Sequence, residues 1–246
     1  MREFGLIGKT LSHSFSKIYF EEKFQREHIT DASYDLFELA DIDNITDFIQ
    51  KHPCLVGFNV TIPYKQLVIQ YLDELSDEAK TIGAVNTVII QHTDTQIITK
   101  GYNTDIIGFR NSLQNITVPN HALILGTGGA SVAVKYVLEL LGYTCTVVSR
   151  NPNRGFPYSA LTQEIVRQHR LIVNCTPLGT YPNINEKPDI PYDGISGDHV
   201  LYDLVYNPAE TAFLKEGGLR GAKTINGLAM LHAQAEKSWE IWNQRL

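Results

Sequence analysis

The sequence predicts an α/β fold of two domains: an N-terminal α/β/α domain around a mostly parallel mixed sheet, and a C-terminal Rossmann-like domain around a doubly wound parallel sheet. Three observations favour it. Short apolar runs alternate with amphipathic segments along the chain. A glycine-rich turn at 126–131 follows one apolar run and opens a helical pattern. The 246 residues are enough for two small domains, each with its own core.

The first hundred residues supply the elements of the N-terminal domain. Apolar runs predict strands over 4–7, 34–39, 54–60, 84–91 and 96–100. The last two strands form a hairpin around 92–95. Amphipathic spacing predicts helices over 16–28, 42–51 and 64–75.

The second half changes to strict alternation of strands and helices, which is typical of a parallel sheet covered on both faces. The predicted strands cover 122–125, 144–148, 171–175 and 200–205, and the predicted helices cover 105–113, 130–141, 161–169 and 228–242. We expect the last helix to return to the first domain. The predicted domains are therefore 1–103 plus 226–246 for substrate, and 104–225 for a dinucleotide.

Composition excludes several classes of protein. A net charge of −6 and a pI near 5.7 argue against a surface for nucleic acid or anionic membrane. Cys54, Cys145 and Cys175 are odd in number and widely spaced, so we expect free thiols. The opening segment is too short and too polar for a signal peptide, and the cytoplasm is the expected compartment. No metal is expected.

The turn at 126–131 has the pattern of a phosphate-binding loop. It opens a helix directly after an apolar strand, so its glycines allow close backbone approach and the helix N-terminus faces a pyrophosphate. Ser131 stands where the G-x-G-x-x-G pattern has its third glycine, although serine is also small. An ordinary tight turn is the alternative, but the length of the β-α-β unit favours a dinucleotide.

The end of the next strand indicates which dinucleotide to expect. An NAD site usually has Asp or Glu there, about 20 residues after the glycines, to bind the ribose 2′-hydroxyl. The segment 149–154 has no carboxylate but carries Arg150 and Arg154. Guanidinium groups suit a 2′-phosphate. We therefore expect NADP, with two solvated surface arginines as the alternative.

Lys65 is the principal candidate for a catalytic group. The predicted helix over 64–75 places it in a first turn, where the positive end of the helix dipole disfavours the protonated ammonium. A lysine in such a place can exchange a proton with an alcohol oxygen. A solvated helix lysine is the alternative.

Other polar residues gather at the ends of predicted strands. Asp105 could assist proton transfer or could be a first-turn acid of its helix. Asn59 and Asn86 could bind a ligand or form turns, and Ser14 and Ser16 could cap the first helix. Strand-to-helix junctions meet at one edge of an α/β sheet. Their accumulation predicts a polar pocket beside the dinucleotide, suited to redox chemistry on a small, hydroxyl-rich molecule.

Taken together, these motifs resemble those of the shikimate dehydrogenase family, in matching order over nearly the whole chain. The matching segments are H-S-F-S at 13–16, N-V-T-I-P-Y-K at 59–65, G-A-V-N-T at 83–87, G-Y-N-T-D at 101–105, G-T-G-G-A at 126–130, N-C-T-P-L-G at 174–179, D-L-V-Y-N-P at 203–208 and N-G-L-A-M-L-H-A-Q-A at 226–235. As a set they are far more specific than the glycine turn alone.

The resemblance implies reversible reduction of 3-dehydroshikimate to shikimate with NADPH, in the route through chorismate to aromatic amino acids. It implies that Lys65 donates the proton to the reacting oxygen while Asp105 orients the group, and that Ser14 and Ser16 bind the substrate carboxylate. The other substrate-binding residues it implies are Asn59, Thr61, Asn86, Tyr206 and Gln234.

The same resemblance implies the cofactor-binding residues. For the pyrophosphate they are Gly126, Thr127, Gly128, Gly129 and Ala130. For the adenosine phosphate they are Ser149, Arg150, Asn151 and Arg154. Near the nicotinamide they are Thr176, Leu204, Gly227 and Met230, and the family also has an acid close to the cofactor at the position of Asp77.

Two departures from the family pattern accompany the resemblance. The basic turn usually reads Asn-Arg-Thr, whereas this chain has Ser149, Arg150 and Asn151; the arginine is kept, so NADP remains expected. Thr180 replaces the usual methionine after Gly179.

Three other hypotheses fit part of the pattern. An NAD-linked quinate/shikimate dehydrogenase would share the pocket, but the two arginines weigh against it. A ligand-sensing relative without catalysis would not need both Lys65 and Asp105. A structural nucleotide-binding domain would leave the polar loops unexplained. The expected partner is a small-molecule substrate, and the expected assembly is a monomer or a homodimer.

Overall fold

The computed structural model of the chain describes residues 1–11, 14–93, 95–113, 116 and 118–244. His13 of the first matching motif and Asp94 of the predicted hairpin turn lie outside the described residues. The chain divides into two compact units, Met1–Thr104 with Gln234–Leu246, and Asp105–Ala233. The predicted domains, 1–103 plus 226–246 and 104–225, stay a prediction, and so do the roles assigned to them.

The first unit is built on a six-stranded mixed sheet in the order β2-β1-β3-β5-β6-β4. Its strands are β1 (Arg2–Gly8), β2 (Ala32–Glu38), β3 (Leu55–Val60), β4 (Glu74–Leu75), β5 (Thr87–His92) and β6 (Ile97–Tyr102). The pairs β1–β2, β1–β3 and β4–β6 are parallel, and β3–β5 and β5–β6 are antiparallel. Its helices are α1 (Ser16–Arg26), α2 (Ile45–Lys51) and α3 (Asp77–Ile82).

Strand residues alternate between two cores, one on each face of this sheet. Phe4 and Leu6 belong to the cluster that contains Phe20 of α1, whereas Ile7 belongs to the cluster that contains Ile45 of α2. Helices therefore cover both faces, and the predicted α/β/α arrangement is confirmed.

The last helix, α8 (Leu228–Trp242), contributes its residues from Gln234 onward to the first unit. Trp242 is buried, and its indole N–H donates to the Val88 carbonyl at 2.9 Å. A Cβ at Gly57 would lie 2.3 Å from the Trp242 ring, so only glycine leaves room for it. This anchor sets the position of the α8 side chains that precede it.

The predicted helix over 64–75 is wrong. The chain makes a turn, then a short 3₁₀ helix, Leu67–Tyr71, and then β4. The apolar residues Val68, Leu72 and Leu75 still face the core, so their spacing indicates which side chains are buried but not the backbone conformation. Helix α3, which begins at Asp77 behind the capping hydroxyl of Ser76, was not predicted.

The second unit contains a parallel sheet in the order β12-β11-β10-β7-β8-β9. Its strands are β7 (His121–Leu125), β8 (Thr144–Ser149), β9 (Phe156–Pro157), β10 (Leu171–Asn174), β11 (Val200–Asp203) and β12 (Lys223–Ile225), and its helices are α4 (Asp105–Ser112), α5 (Gly129–Leu140), α6 (Gln163–Gln168) and α7 (Ala212–Gly218). Counted from β7, this is the 3-2-1-4-5-6 order of a dinucleotide-binding sheet. The predicted doubly wound fold is confirmed, while α7 and β12 were not foreseen.

Two findings bear on the environment of the chain. Cys54, Cys145 and Cys175 are all free thiols. Across the described residues, no helix combines the length and the apolar character that crossing a membrane would require.

Candidate active site

The turn after β3 carries Thr61 and Lys65. The Thr61 amide donates to the Ile7 carbonyl at 2.9 Å, and the Lys65 carbonyl accepts from the Val85 amide at 2.7 Å. The second bond ties this turn to the loop that holds Asn86. Lys65 lies two residues before the 3₁₀ helix, so the predicted place in the first turn of an α-helix is wrong. The Val85–Lys65 bond nevertheless places the Lys65 backbone beside the Asn86 loop.

Asn59, near the end of β3, is fully enclosed by hydrogen bonds. Its side-chain oxygen accepts from the Tyr34 hydroxyl at 2.9 Å. Its side-chain nitrogen lies 3.1 Å from the Asn86 carbonyl, 3.1 Å from Thr87 Oγ1 and 2.9 Å from Ser238 Oγ. Asn59 is 6% exposed. Within the first unit, the Asn59 side chain therefore joins β2, β5 and α8 through buried hydrogen bonds.

Asn86 is bonded to the segment that leads into Asp105. Its side-chain oxygen accepts from the Thr104 amide at 2.7 Å, and its side-chain nitrogen donates to Thr104 Oγ1 at 3.0 Å. The Thr104 hydroxyl also lies 3.4 Å from the side-chain oxygen of Gln234. Two residues assigned to the substrate, Asn86 and Gln234, therefore meet at Thr104. Asp105 is the next residue of the chain and begins α4 in the second unit, where it is 5% exposed.

Ser14 and Ser16 lie at the start of α1. Ser14 Oγ accepts from the Ser16 amide at 3.3 Å, whereas the N-cap position of α1 is Phe15, which makes no side-chain capping bond. Burial raises the pKa of Tyr34, while a hydrogen bond with the Ser16 side chain acts in the opposite direction. The Tyr34 hydroxyl thus stands between Ser16 and Asn59.

Asp77 is the first residue of α3, and its side chain is fully exposed. It lines an open cleft of about 450 Å³ together with Leu72, Leu75, Lys80 and Lys100. The Lys80 ammonium lies 3.9 Å from its carboxylate. Apart from this exposure, nothing in the described part of the first unit assigns a ligand to Asp77, and its link to the cofactor stays a prediction.

In the second unit, the glycine turn lies between β7 and α5, as predicted. Gly126 has a φ of +111°, and a Cβ there would lie 3.1 Å from the Thr176 side chain. Gly128 is the N-cap of α5, and a Cβ there would meet no atom within 4 Å. Ser131 Oγ donates to the Gly128 carbonyl at 2.6 Å. The serine in place of the third glycine therefore stabilises the turn. The open space at Gly128, beside the helix N-terminus, suits a phosphate.

The loop after β8 approaches the glycine turn. Arg154 donates through its guanidinium to the Thr127 carbonyl at 3.1 Å. Ser149 Oγ accepts from the Asn151 amide at 3.0 Å and shapes the bend that exposes Arg150. The structure thus brings the predicted adenosine-phosphate residues and the predicted pyrophosphate residues together within one unit.

At the ends of β10 and β11 the predicted nicotinamide residues have buried support. The Asn174 side-chain oxygen accepts from the Thr176 hydroxyl at 2.6 Å, and its nitrogen donates to the Asp203 carboxylate at 3.0 Å. Burial raises the pKa of Asp203 to about 6, against the hydrogen bonds from Thr211, Val205 and Asn174. Asp203 therefore holds the turn that carries Thr176.

The remaining predicted residues lie where the chain leaves the sheet. A Cβ at Gly227 would lie 2.1 Å from the Leu204 carbonyl oxygen, so these two segments touch. Met230 is buried one turn further along α8. Tyr206 is half-buried in the loop after β11.

Three contributors to the substrate-side network are not among the predicted site residues: Tyr34, Ser238 and Thr87, the last of which ends the matching segment 83–87. Ser238 and Tyr34 each carry a signal that could have found them. Ser238 lies four residues after Gln234, on the same face of α8. Tyr34 is a polar-tipped residue at an inward position of β2, where its hydroxyl needs a partner.

The chain is similar to known proteins over most of its length. A family model described as the shikimate dehydrogenase substrate binding domain matches residues 6–88. A shikimate dehydrogenase (NADP(+)) from Methanococcus maripaludis is 38% identical over 261 residues, which cover 97% of this chain and 90% of that protein.

Solved structures also resemble the chain over its whole length. Shikimate dehydrogenase 1 from Peptoclostridium difficile aligns with a TM-score of 0.85 at 38% identity, covering 100% of this chain and 93% of that one. Shikimate 5-dehydrogenase from Thermus thermophilus, solved with NADP(H) and shikimate, aligns with a TM-score of 0.85 at 30% identity, covering 100% of this chain and 95% of that one.

Proposed function

This chain belongs to the shikimate dehydrogenase family, and we propose that it catalyses the reversible NADPH-dependent reduction of 3-dehydroshikimate to shikimate. The observation that carries the proposal is the buried network in which Asn86 and Gln234 share Thr104, directly before Asp105. Such a network holds polar groups in fixed directions, which a small, hydroxyl-rich ring requires of its pocket.

NADP is the cofactor that the residues of the second unit fit. Gly126 has a φ of +111° that favours glycine, a Cβ at Gly128 would meet no atom within 4 Å beside the N-terminus of α5, and the Arg154 guanidinium lies against the same turn. Arg150 and Arg154 would hold the 2′-phosphate, and the α5 amides would hold the pyrophosphate. Bound NADPH supplies the hydride that reduces the substrate carbonyl.

The protein residues bind the ring and move the proton. In the proposed assignment, Ser14 and Ser16 bind the substrate carboxylate, while Asn59, Thr61, Asn86, Tyr206 and Gln234 line the pocket. The Lys65 ammonium donates a proton to the C3 oxygen as negative charge develops there, and solvent reprotonates it afterwards. The Asp105 carboxylate orients the same group.

The decisive experiment is absorbance at the reduced-nicotinamide band with the purified protein, shikimate, and either NADP+ or NAD+. We expect reduction of NADP+ with shikimate and little with quinate. Equal turnover with NAD+ would favour the NAD-linked hypothesis, and failure to reduce either cofactor would contradict the proposed function.

We further propose that the protein works in the cytoplasm as a monomer or a homodimer. Its three free thiols support a reducing compartment. Light scattering would report the assembly, and fractionation of the source cells would report the compartment.

A further inference from the structure

We propose that Glu38 is a positioning residue for substrate binding, acting through Leu11 on Ser14 and Ser16; the inference deepens the proposed function and rests on it. Glu38 is the last residue of β2 and lies in none of the matching motifs. Its side-chain oxygen Oε1 accepts from the Leu11 backbone amide at 2.6 Å. The roles in this bond are fixed, because a backbone N–H can only donate and a carboxylate can only accept.

Leu11 lies between β1 and α1, and its position is fixed in two ways. Its side chain is 3% exposed and belongs to the core that contains Phe20 of α1. A Cβ at Gly8 would lie 2.6 Å from the Leu11 side chain and 2.7 Å from that of Thr61, so glycine leaves room for both. The buried side chain holds the Cα–Cβ bond of Leu11, and Glu38 holds the peptide plane before it. Together they set the direction of the Leu11 carbonyl.

The Leu11 carbonyl is in turn bonded to the segment that carries the two serines. It accepts from the Ser14 backbone amide at 2.9 Å, and Ser14 Oγ accepts from the Ser16 amide at 3.3 Å. These bonds form a series that runs from Glu38, on an edge strand of the sheet, to the start of α1. The proposed function assigns Ser14 and Ser16 to the substrate carboxylate. Glu38 thus sets the position of both serines.

The backbone at Glu38 is itself held by hydrogen bonds. Glu38 pairs with Gly8 in the parallel ladder of β1 and β2. The next residue, Leu39, donates its amide to the Gly8 carbonyl at 2.9 Å, and its own carbonyl accepts from the Tyr64 hydroxyl at 2.7 Å. The Glu38 carboxylate therefore extends from a fixed backbone, which allows it to orient the Leu11 amide.

The experiment compares wild type, Glu38→Ala and Glu38→Gln in steady-state kinetics with shikimate and NADP+. Alanine removes the acceptor, so we expect the KM for shikimate to rise about tenfold, as for the loss of one hydrogen bond to a charged group, while kcat and the KM for NADP+ stay unchanged. Glutamine keeps an oxygen that can accept from the Leu11 amide, so its KM should stay within about twofold of wild type. Rescue by glutamine separates the hydrogen bond from the charge of Glu38.

Glu240→Ala is the matched control. Glu240 is also a carboxylate of the first unit, and it accepts at 2.7 Å from the exposed Lys237 side chain. Its loss should leave both KM values unchanged. Glu38→Ser, whose hydroxyl is too short to reach the Leu11 amide, takes the place of Glu38→Ala if that variant does not fold.

Hydrogen exchange at the Leu11 and Ser14 amides gives a readout that needs no activity. We expect both amides to exchange about tenfold faster in Glu38→Ala than in wild type, and at the wild-type rate in Glu38→Gln and Glu240→Ala. If wild type does not oxidise shikimate but this exchange still changes, the proposed function fails and Glu38 still positions the segment.

Two results would overturn the positioning role. One is a folded Glu38→Ala protein that leaves either the exchange or, in an active enzyme, the KM for shikimate at the wild-type value. The other is a Glu38→Gln protein that is impaired as much as Glu38→Ala, since the hydrogen bond would then not be the cause.

Discussion

The backbone amide of Thr104 donates to the side-chain oxygen of Asn86 at 2.7 Å. The same two residues are joined a second time by the Asn86 side-chain nitrogen and the Thr104 hydroxyl, at 3.0 Å. The Asn86 side chain thus bonds the Thr104 amide in place of a backbone carbonyl, in the segment between β6 and α4. Both bonds lie within the first unit, and Asp105, the predicted carboxylate, is the next residue of the chain.

Asn86→Ala removes both bonds at once. We expect kcat/KM for shikimate to fall by about two orders of magnitude, since each buried hydrogen bond of this kind contributes about 1–2 kcal/mol. Steady-state kinetics would measure the loss. Asn243→Ala, an exposed asparagine near the end of the same unit, should leave kcat/KM unchanged; an equal loss there would contradict the assignment.

Lys65→Met tests the proposed proton donor. Methionine keeps the length of the side chain but carries no proton, so kcat should fall by roughly 10²–10⁴ while the KM for shikimate changes little. The control is Lys100→Met, which removes a lysine of the same unit that pairs with Glu74 at 3.1 Å. A Lys65→Met enzyme with near-native kcat would show that Lys65 does not donate the proton.

Gly128→Ala tests whether a phosphate approaches the N-terminus of α5. The added methyl would meet no protein atom within 4 Å, so the fold should tolerate it. We expect the KM for NADP+ to rise at least about tenfold, because the methyl would occupy the space in which the pyrophosphate meets the backbone. Gly218→Ala is equally uncrowded, at the end of α7, and should change neither stability nor the KM.

Arg150→Ala tests the preference for NADP. Loss of a guanidinium that binds the 2′-phosphate should raise the KM for NADP+ by about 10- to 100-fold and leave the KM for NAD+ unchanged. Arg167, which pairs with Glu164 on α6, provides the surface control. If Arg150→Ala raised the KM for NADP+ and the KM for NAD+ equally, this arginine would not bind the 2′-phosphate.

Asp203→Asn tests the buried carboxyl group of the second unit. Burial raises the pKa of Asp203 from 3.8 to about 6, so the folded state favours its neutral form. The stability it contributes is complete below about pH 4 and is lost as the pH rises through about 6. Relative to wild type, Asp203→Asn should therefore gain roughly 3 kcal/mol of unfolding free energy between about pH 4 and pH 7.

Denaturant unfolding of both proteins across that range would measure the difference. The asparagine can keep the bonds to Asn174 and Val205 through its oxygen. A constant difference in unfolding free energy between the two proteins would show that Asp203 titrates in its ordinary range.

The sequence predicts correctly those elements whose conformation depends on residues close together along the chain. The β7-turn-α5 unit was predictable because the glycines, the apolar strand and the helical pattern are consecutive. The conformation around Lys65 was not predictable in this way. Val68, Leu72 and Leu75 have the spacing of an α-helix, but the chain there forms a 3₁₀ turn and a short strand beside β6, and that pairing is a contact between distant segments.

The sequence by itself determined the two parallel-rich sheets, the glycine turn, the arginines beyond it and the polar residues that end the strands, because each depends on residues close together along the chain. Only the tertiary structure decided that Ser238 and Tyr34 enclose Asn59, and that Asn86 binds Thr104. Those bonds join residues far apart in sequence, and the direction of each proton depends on which acceptors folding brings within about 3 Å.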